Sequence, residues 1–141
     1  MNVYFDTSAL IPLLVAEPTS GSFKDLWRHA EKVTSTRLLF VEASSTLERI
    51  ERSGRISNSA ASTTIERLSH IWEEVVVIEL GEGLMLEAAM LARSFGLRGF
   101  DAVHCAAAFG MDDDNVIAAS SDSRLNAAWS KLGMTVFNPH A

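Results

Sequence analysis

Short β-prone segments alternate with longer segments of helical periodicity along this chain, and that alternation most constrains its fold. The predicted strands are residues 2–5, 33–36, 75–80, 116–120 and 134–137. The predicted helices are residues 7–16, 22–31, 38–52, 57–72, 82–95, 99–109 and 122–132. Strands that alternate with helices favour a mostly parallel sheet with helices on both faces. We therefore predict an α/β fold whose ligands bind beyond the carboxyl ends of the strands. The β-branched run at 75–80 predicts a buried strand.

The size and composition of the chain predict a single domain over residues 1–141. At 48% hydrophobic residues, the chain can bury a substantial core. Its longest apolar stretch is far shorter than the roughly 20 residues of a membrane span, and no signal peptide is evident. The single cysteine, Cys105, cannot form an internal disulfide and is expected to be a buried, unreactive thiol. We therefore expect a cytoplasmic protein without a membrane association.

The formal net charge of −6 argues against a broad nucleic-acid-binding surface, which normally needs a basic face. A local basic patch can still hold phosphates if a metal cancels part of the acidic charge. Arg49, Arg52 and Arg55, near the end of helix 38–52, are candidates for that patch. They alternate with Glu48 and Glu51, so the preferred interpretation is a solvated, ion-paired face.

Four acidic residues occur in settings that suggest a shared site. Asp6 and Asp122 directly follow predicted strands, and Asp101 lies at the start of an apolar helix. Glu42 borders the core-facing side of helix 38–52, where an ionised carboxylate is costly without a partner. Separately, the aspartates can be helix N-caps and Glu42 an exposed glutamate. Those separate explanations do not predict convergence, whereas a common site at one edge of the sheet does.

Carboxylates gathered at one edge repel one another unless a positive group lies between them. Mg²⁺ and Mn²⁺ prefer such oxygen ligands, and a site of this kind suits phosphodiester hydrolysis by metal-activated water. A zinc site is not indicated, because the histidines are scattered and the cysteine is alone. His104, one turn after Asp101, is interpreted as a core histidine rather than a general base. Arg98, one turn before Asp101, either pairs with that acid or contacts substrate, and Arg124 is similar.

Several segments, taken in order and at their spacing, carry a resemblance to known proteins. They are DTSAL at residues 6–10, Glu42, LRGFDAVH at residues 97–104 and SDSRL at residues 121–125. With these segments the chain resembles the PIN-domain nucleases, and most closely the VapC-type toxins of toxin–antitoxin pairs. The resemblance implies a three-layer α/β/α sandwich with a mostly parallel five-stranded sheet.

The resemblance also implies a function and a set of site residues. It implies a metal-dependent endoribonuclease that leaves 5′-phosphate and 3′-hydroxyl ends, with Mg²⁺ or Mn²⁺ as cofactor. Its catalytic and metal-binding residues would be Asp6, Glu42, Asp101 and Asp122. Ser8, or less favourably Thr7, would be the family's hydroxyl near the first acid, with Arg98 and Arg124 as further supporting candidates. It implies an RNA substrate, a homodimer and a cognate antitoxin that blocks the site.

Two alternatives remain open from the sequence. One is a partner-binding module of the same fold without catalysis. The other is an aspartate-nucleophile phosphatase or receiver domain, although Ser8 stands where such a phosphatase needs a second aspartate. Separately, the apolar surface of helix 7–16 is wider than one core stripe and predicts a dimer contact or antitoxin groove. It comprises Leu10, Ile11, Leu13 and Leu14.

Overall fold

The computed structural model describes residues 1–140 and is built around a five-stranded parallel sheet. The strands are β1 (Asn2–Phe5), β2 (Lys32–Thr36), β3 (Val75–Ile78), β4 (Ile117–Ala119) and β5 (Thr135–Val136). Their order in the sheet is β3-β2-β1-β4-β5, and every neighbouring pair is parallel. The predicted α/β class and five-stranded sheet are confirmed.

Seven helices connect these strands within residues 1–140. They are α1 (Thr7–Leu14), α2 (Ser20–His29), α3 (Leu38–Arg52), α4 (Asn58–Glu73), α5 (Glu82–Phe95), α6 (Gly99–Phe109) and α7 (Ser123–Lys131). Over the same residues, no helix has the length and apolar character needed to cross a bilayer.

The helices form one layer on each face of the sheet. Successive side chains of a strand point to opposite faces, so β1 packs against both layers. Val3 and Phe5 of β1 pack in a core cluster with residues of α1, α2, α3 and α4. Tyr4, between them, packs in a second cluster with residues of α5, α6 and α7, including Trp129. The predicted three-layer sandwich is therefore confirmed.

The order of the strands creates a crevice at one edge of the sheet. The chain adds β2 and β3 on one side of β1, and later adds β4 and β5 on the other side. This reversal between β1 and β4 is where ligands bind in open α/β sheets. Asp6 directly follows β1, and Asp122 lies three residues beyond the end of β4 at Ala119.

The prediction of an exposed apolar surface on the first helix is wrong. Leu10, Ile11, Leu13 and Leu14 are all buried. Helix α1 ends at Leu14 rather than at residue 16, and it packs against α2, α3 and α4. A helix covered by three neighbours buries more than one stripe of its surface. This explains why apolar residues cover so much of the surface of α1.

The prediction that residues 75–80 form a buried strand is also wrong. Strand β3 ends at Ile78 and lies at the edge of the sheet, paired with β2 alone. The Val76 side chain is 49% exposed. An apolar run of this length has the same appearance in a central strand and in an edge strand, so periodicity did not distinguish the two.

The remaining element boundaries differ from the predictions by at most two residues. The largest shifts are in α2, which begins at Ser20 rather than at residue 22 and ends at His29 rather than at residue 31. The Ser20 hydroxyl accepts a hydrogen bond from the Glu17 N–H at 2.9 Å, which orders the turn before the helix.

Candidate active site

The four predicted acids line one open cavity beyond the carboxyl ends of β1 and β4. Asp6, Glu42, Asp101 and Asp122 all contribute to this cavity of about 360 Å³. The convergence expected from the sequence is therefore observed. The other lining residues are Thr7, Ser8, Ile11, Glu17, Thr46, Arg49, Arg98, His104 and Ser121.

Asp6 is buried at the end of β1, with both carboxylate oxygens hydrogen-bonded. Its Oδ1 accepts from the Ala9 N–H at 2.9 Å and from the Ser8 hydroxyl at 2.8 Å. Its Oδ2 accepts from the Ser120 hydroxyl at 2.6 Å. Burial raises the pKa of Asp6 despite these donors, because a desolvated carboxylate is costly to ionise. Asp6 therefore caps α1 and lines the cavity at the same time.

Glu42 extends from α3 into the cavity and is held by two donors. The Thr7 hydroxyl donates to Glu42 Oε1 at 2.8 Å, and His104 Nε2 lies 2.6 Å from the same oxygen. Burial opposes ionisation of Glu42, but these hydrogen bonds outweigh it and lower its pKa. The partner that a partly buried glutamate requires is thus supplied by His104 and Thr7.

His104 is only 1% exposed, which confirms its interpretation as a core histidine. An ionised carboxylate can only accept, so Nε2 carries the hydrogen that is donated to Glu42. In the neutral ring Nδ1 then accepts from the buried hydroxyl of Tyr4, whose oxygen lies 2.6 Å away. Because both ring nitrogens are engaged, His104 orients Glu42 instead of facing substrate.

Asp101 and Asp122 share a positive neighbour. Arg98 Nε lies 3.2 Å from Asp101 Oδ2, and its Nη2 lies 3.7 Å from Asp122 Oδ2. The group between these two carboxylates in the structure is the Arg98 guanidinium. Arg98 therefore pairs with Asp101, one of its two predicted alternatives.

The N-cap interpretation holds for Asp122 and is wrong for Asp101. Asp122 Oδ1 accepts from the backbone N–H groups of Arg124 and Leu125, each at 2.9 Å, and so caps α7. Helix α6 begins at Gly99, so Asp101 lies within its first turn and makes no capping hydrogen bond. The Asp101 carboxylate is therefore free of a local structural role apart from its pairing with Arg98.

The predicted hydroxyl residues serve different acids. Ser8 donates to Asp6 and accepts from the Ser121 N–H at 2.8 Å, which ties α1 to the loop after β4. Thr7 donates to Glu42 instead. The Arg124 side chain is not among the residues that line the cavity, and this residue reaches Asp122 through its backbone N–H alone.

Two cavity features were missed in the sequence. The Ser120 hydroxyl donates to Asp6 and accepts from the Asp122 N–H at 2.9 Å, so one residue joins two of the acids. Its position directly after β4 was the available signal. Glu17 is a fifth acid in the lining, contributed by the loop after α1, and no sequence pattern pointed to it.

Of the three arginines predicted to form an ion-paired face, Arg52 pairs with a glutamate of α3, whereas Arg55 lies beyond the end of α3 and pairs with a residue of another segment. Arg52 lies 3.5 Å from Glu48, and Arg55 lies 3.8 Å from Glu17. Across residues 1–140, Arg49 has no carboxylate within ion-pair distance, and it lines the acid cavity. Arg49 therefore differs from Arg52 and Arg55, because it has no ion-pair partner among these residues and it lines the cavity.

The donor chemistry of the cavity fits a hard divalent cation. The carboxylates supply oxygen ligands only, and among residues 1–140 no basic side chain lies within ion-pair distance of Asp6. Within the described part of the chain, no three Asp, Glu, His or Cys side chains are grouped closely enough to coordinate one ion together. Mg²⁺ commonly retains several waters and uses one or two carboxylates directly, which such an arrangement can provide.

The sequence comparison identifies the family to which this fold and site belong. A PIN domain profile matches residues 3–128, so the chain belongs to the PIN-domain family. It is similar to Ribonuclease VapC45 of Mycobacterium tuberculosis (strain CDC 1551 / Oshkosh), with 31% identity over 134 residues. That alignment covers 95% of this chain and 93% of the relative. The resemblance stated from the motifs is confirmed.

Solved structures show the same fold. The crystal structure of Mycobacterium tuberculosis VapC20, described as a Sarcin-Ricin loop cleaving toxin, matches with a TM-score of 0.68 and 21% identity. That match covers 89% of this chain and 94% of the other. A toxin–antitoxin complex from Klebsiella pneumoniae matches with a TM-score of 0.69 and 14% identity, covering 97% of each chain. At these sequence identities, the structural matches show a shared fold and nothing more.

Proposed function

We propose that this protein is a VapC-type toxin that cleaves RNA as a metal-dependent endoribonuclease. The convergence of Asp6, Glu42, Asp101 and Asp122 on one cavity in a PIN-domain chain carries the proposal. The similarity to a protein named as a VapC ribonuclease supports it further. RNA cleavage, rather than binding alone, is the function that best accounts for so many carboxylates beside one crevice.

In this proposal Asp6, Glu42, Asp101 and Asp122 would hold Mg²⁺ or Mn²⁺, one or two of them directly and the others through its bound waters. When bound, the ion lowers the pKa of a coordinated water and offsets the negative charge of the scissile phosphate. The chain's own contribution is orientation. Ser8 and Ser120 fix both oxygens of Asp6, and His104 with Thr7 fixes one oxygen of Glu42. The other Glu42 oxygen is left available to the cavity.

Hydrolysis breaks the bond between phosphorus and the 3′ oxygen, and therefore leaves 5′-phosphate and 3′-hydroxyl ends. In this proposal Arg98 contacts an RNA phosphate at the mouth of the cavity, which its 79% exposed side chain allows. A charged arginine at this position also offsets part of the repulsion between RNA and the acids.

The proposal includes a cognate antitoxin, a homodimer and a cytoplasmic location, where the RNA substrate is found. A toxin–antitoxin complex among the structural neighbours supports the antitoxin partner. Exposed apolar side chains of α5 offer a surface for a subunit contact. They are Met85, Leu86 and Met90.

The test is cleavage of purified cellular RNA with Mg²⁺ or Mn²⁺, with and without a chelator, followed by mapping of the new 5′ ends. Asp6→Asn should abolish metal-dependent cleavage while the protein remains folded. Asp25→Asn is the matched control, since Asp25 is an exposed aspartate on α2 that pairs with Arg28 outside the cavity. Cleavage that survives in Asp6→Asn, or that is indifferent to chelator, contradicts the proposal.

A partner-binding module without catalysis is the second candidate. The observation that favours it is the contact of Arg98 with both Asp101 and Asp122, because a protein cation already neutralises two of the acids. The cleavage assay separates the candidates, since a binding module leaves RNA intact under every metal condition. The aspartate-nucleophile alternative is not supported, because Asp6 is buried with both oxygens engaged.

A further inference from the structure

Arg49 is a cation at the edge of the acid cavity whose charge is not neutralised. Among residues 1–140, its guanidinium hydrogen-bonds only to hydroxyls of its own helix, Ser45 at 3.3 Å and Thr46 at 3.2 Å. It lines the acid cavity and two adjoining cavities of about 370 Å³ and 260 Å³. Glu42 lines the same three cavities, and the two that adjoin the acid cavity are referred to below as the groove.

Phe100 is an exposed aromatic residue in that groove. Its side chain is 61% exposed, and it lies in the first turn of α6 beside Asp101. Val41 of α3, also 61% exposed, lines the smaller cavity together with Phe100 and Arg49. The groove beside the acids thus combines an exposed aromatic ring, the exposed side chain of Val41 and a guanidinium.

This combination suits one nucleotide of a single-stranded nucleic acid. Aromatic side chains stack on unpaired bases, and an arginine guanidinium binds phosphate oxygens through two parallel hydrogen bonds. The carboxylates of the cavity repel phosphates, so a strand entering the site needs a cation at its margin. A nucleic-acid strand that occupies the groove continues directly to the acid cavity, since Glu42 lines both the groove and that cavity.

We propose that Arg49 and Phe100 form a nucleotide-binding subsite for single-stranded RNA beside the acid cavity. The Phe100 ring stacks one base, and Arg49 binds an adjacent phosphate. This subsite deepens the proposed nuclease function and rests on it. A protein segment is the competing occupant, and the test distinguishes it.

The test measures binding of a single-stranded RNA of about eight nucleotides that carries 2-aminopurine. A chelator and low salt are used, so that binding is read without cleavage. Stacking on Phe100 quenches the fluorescence of the base. Phe100→Leu should weaken binding about five- to tenfold and remove the quenching, with no change in salt dependence. Phe109→Leu is the matched control, an exposed phenylalanine at the far end of the same helix.

Arg49→Gln should have a different signature. Loss of one phosphate contact should reduce the slope of log binding constant against log salt by about 0.7, while quenching in the residual complex persists. Arg52→Gln is the matched control, because Arg52 is on the same helix but pairs with Glu48 outside the cavity. Circular dichroism of each variant confirms that the fold is retained.

The outcomes separate this inference from the nuclease proposal. Unchanged RNA binding in both variants overturns the subsite, even if the wild-type protein cleaves RNA. Absence of RNA binding by the wild-type protein overturns it as well. The expected variant pattern in a protein that never cleaves RNA supports the subsite and refutes the nuclease. A changed oligomeric state, with unchanged RNA binding, identifies the groove as a protein contact and overturns the proposal.

Discussion

The Nε2 atom of His104 lies 2.6 Å from Oε1 of Glu42, which joins a buried histidine of α6 to a cavity acid of α3. The other ring nitrogen lies 2.6 Å from the hydroxyl oxygen of Tyr4 in β1. Three elements that are distant in sequence therefore determine how Glu42 faces the cavity. The chain of hydrogen bonds runs from the sheet, through a helix of one layer, to a helix of the other.

Tyr4→Phe tests this chain with the loss of one hydroxyl. His104 Nδ1 then lacks its donor in a buried site, which should cost about 1–3 kcal/mol of unfolding free energy. Urea denaturation measures that cost. Nitrogen-15 NMR of the histidine ring should show the Nε2–H tautomer in the wild-type protein and a mixture in the variant. An unchanged tautomer in Tyr4→Phe means that the tyrosine does not orient the ring.

Asp6→Asn should make the metal-free protein more stable at neutral pH. The native pKa of Asp6 is raised above its ordinary value of 3.8, chiefly by burial, so the native state binds this proton more tightly than the unfolded chain. Stability therefore falls as the pH rises from the unfolded value through the native pKa. Asparagine removes this loss and can still cap α1.

Urea denaturation across a pH series in chelator measures the effect of Asp6→Asn. The stabilisation should be present near pH 7 and should shrink as the pH falls toward the ordinary carboxyl pKa. A variant that is less stable than wild type at neutral pH shows that the hydrogen bonds of the carboxylate outweigh its desolvation.

Ser120→Ala should lower the stability of the protein, because Ser120 joins two of the cavity acids. It removes the donor at 2.6 Å from Asp6 and the acceptor of the Asp122 N–H, which should cost about 1–3 kcal/mol of unfolding free energy. With one donor fewer, the pKa of Asp6 should rise further. The control is Ser62→Ala, which removes an exposed hydroxyl on α4. Equal stability losses for the two serines contradict a special role for Ser120.

Arg98→Gln should increase the affinity for Mg²⁺. The guanidinium pairs with Asp101 and Asp122 and so competes with a metal for the same carboxylates. Because Arg98 is largely exposed, the gain should be modest, about two- to fivefold in apparent affinity. Thermal melting across a Mg²⁺ titration measures it. Arg124→Gln, outside the cavity, serves as the control, and a weaker response to Mg²⁺ in Arg98→Gln refutes the competition.

Much of the architecture was readable from local patterns. The alternation of strand and helix segments determines a parallel sheet, because parallel neighbours need crossover helices between them. The same patterns located Asp6 and Asp122 just past strand ends, where one edge of the sheet brings them together. The sequence failed where coverage by neighbours decides burial. Strand β3 reads as a core strand but lies at the edge, and α1 reads as partly exposed but is enclosed.

Local patterns alone assign Asp6 and Asp122 to one edge of the sheet, because each follows a strand whose direction the sheet imposes. What balances the charge of the acids depends on how distant elements pack together. Glu42 and His104 are 62 residues apart, and no local pattern specifies a contact over that separation. Likewise, Arg49 and Arg52 have similar sequence surroundings, yet only Arg49 faces the cavity. Periodicity specifies which face of an element is buried, whereas the partners of a polar side chain depend on where the other elements pack.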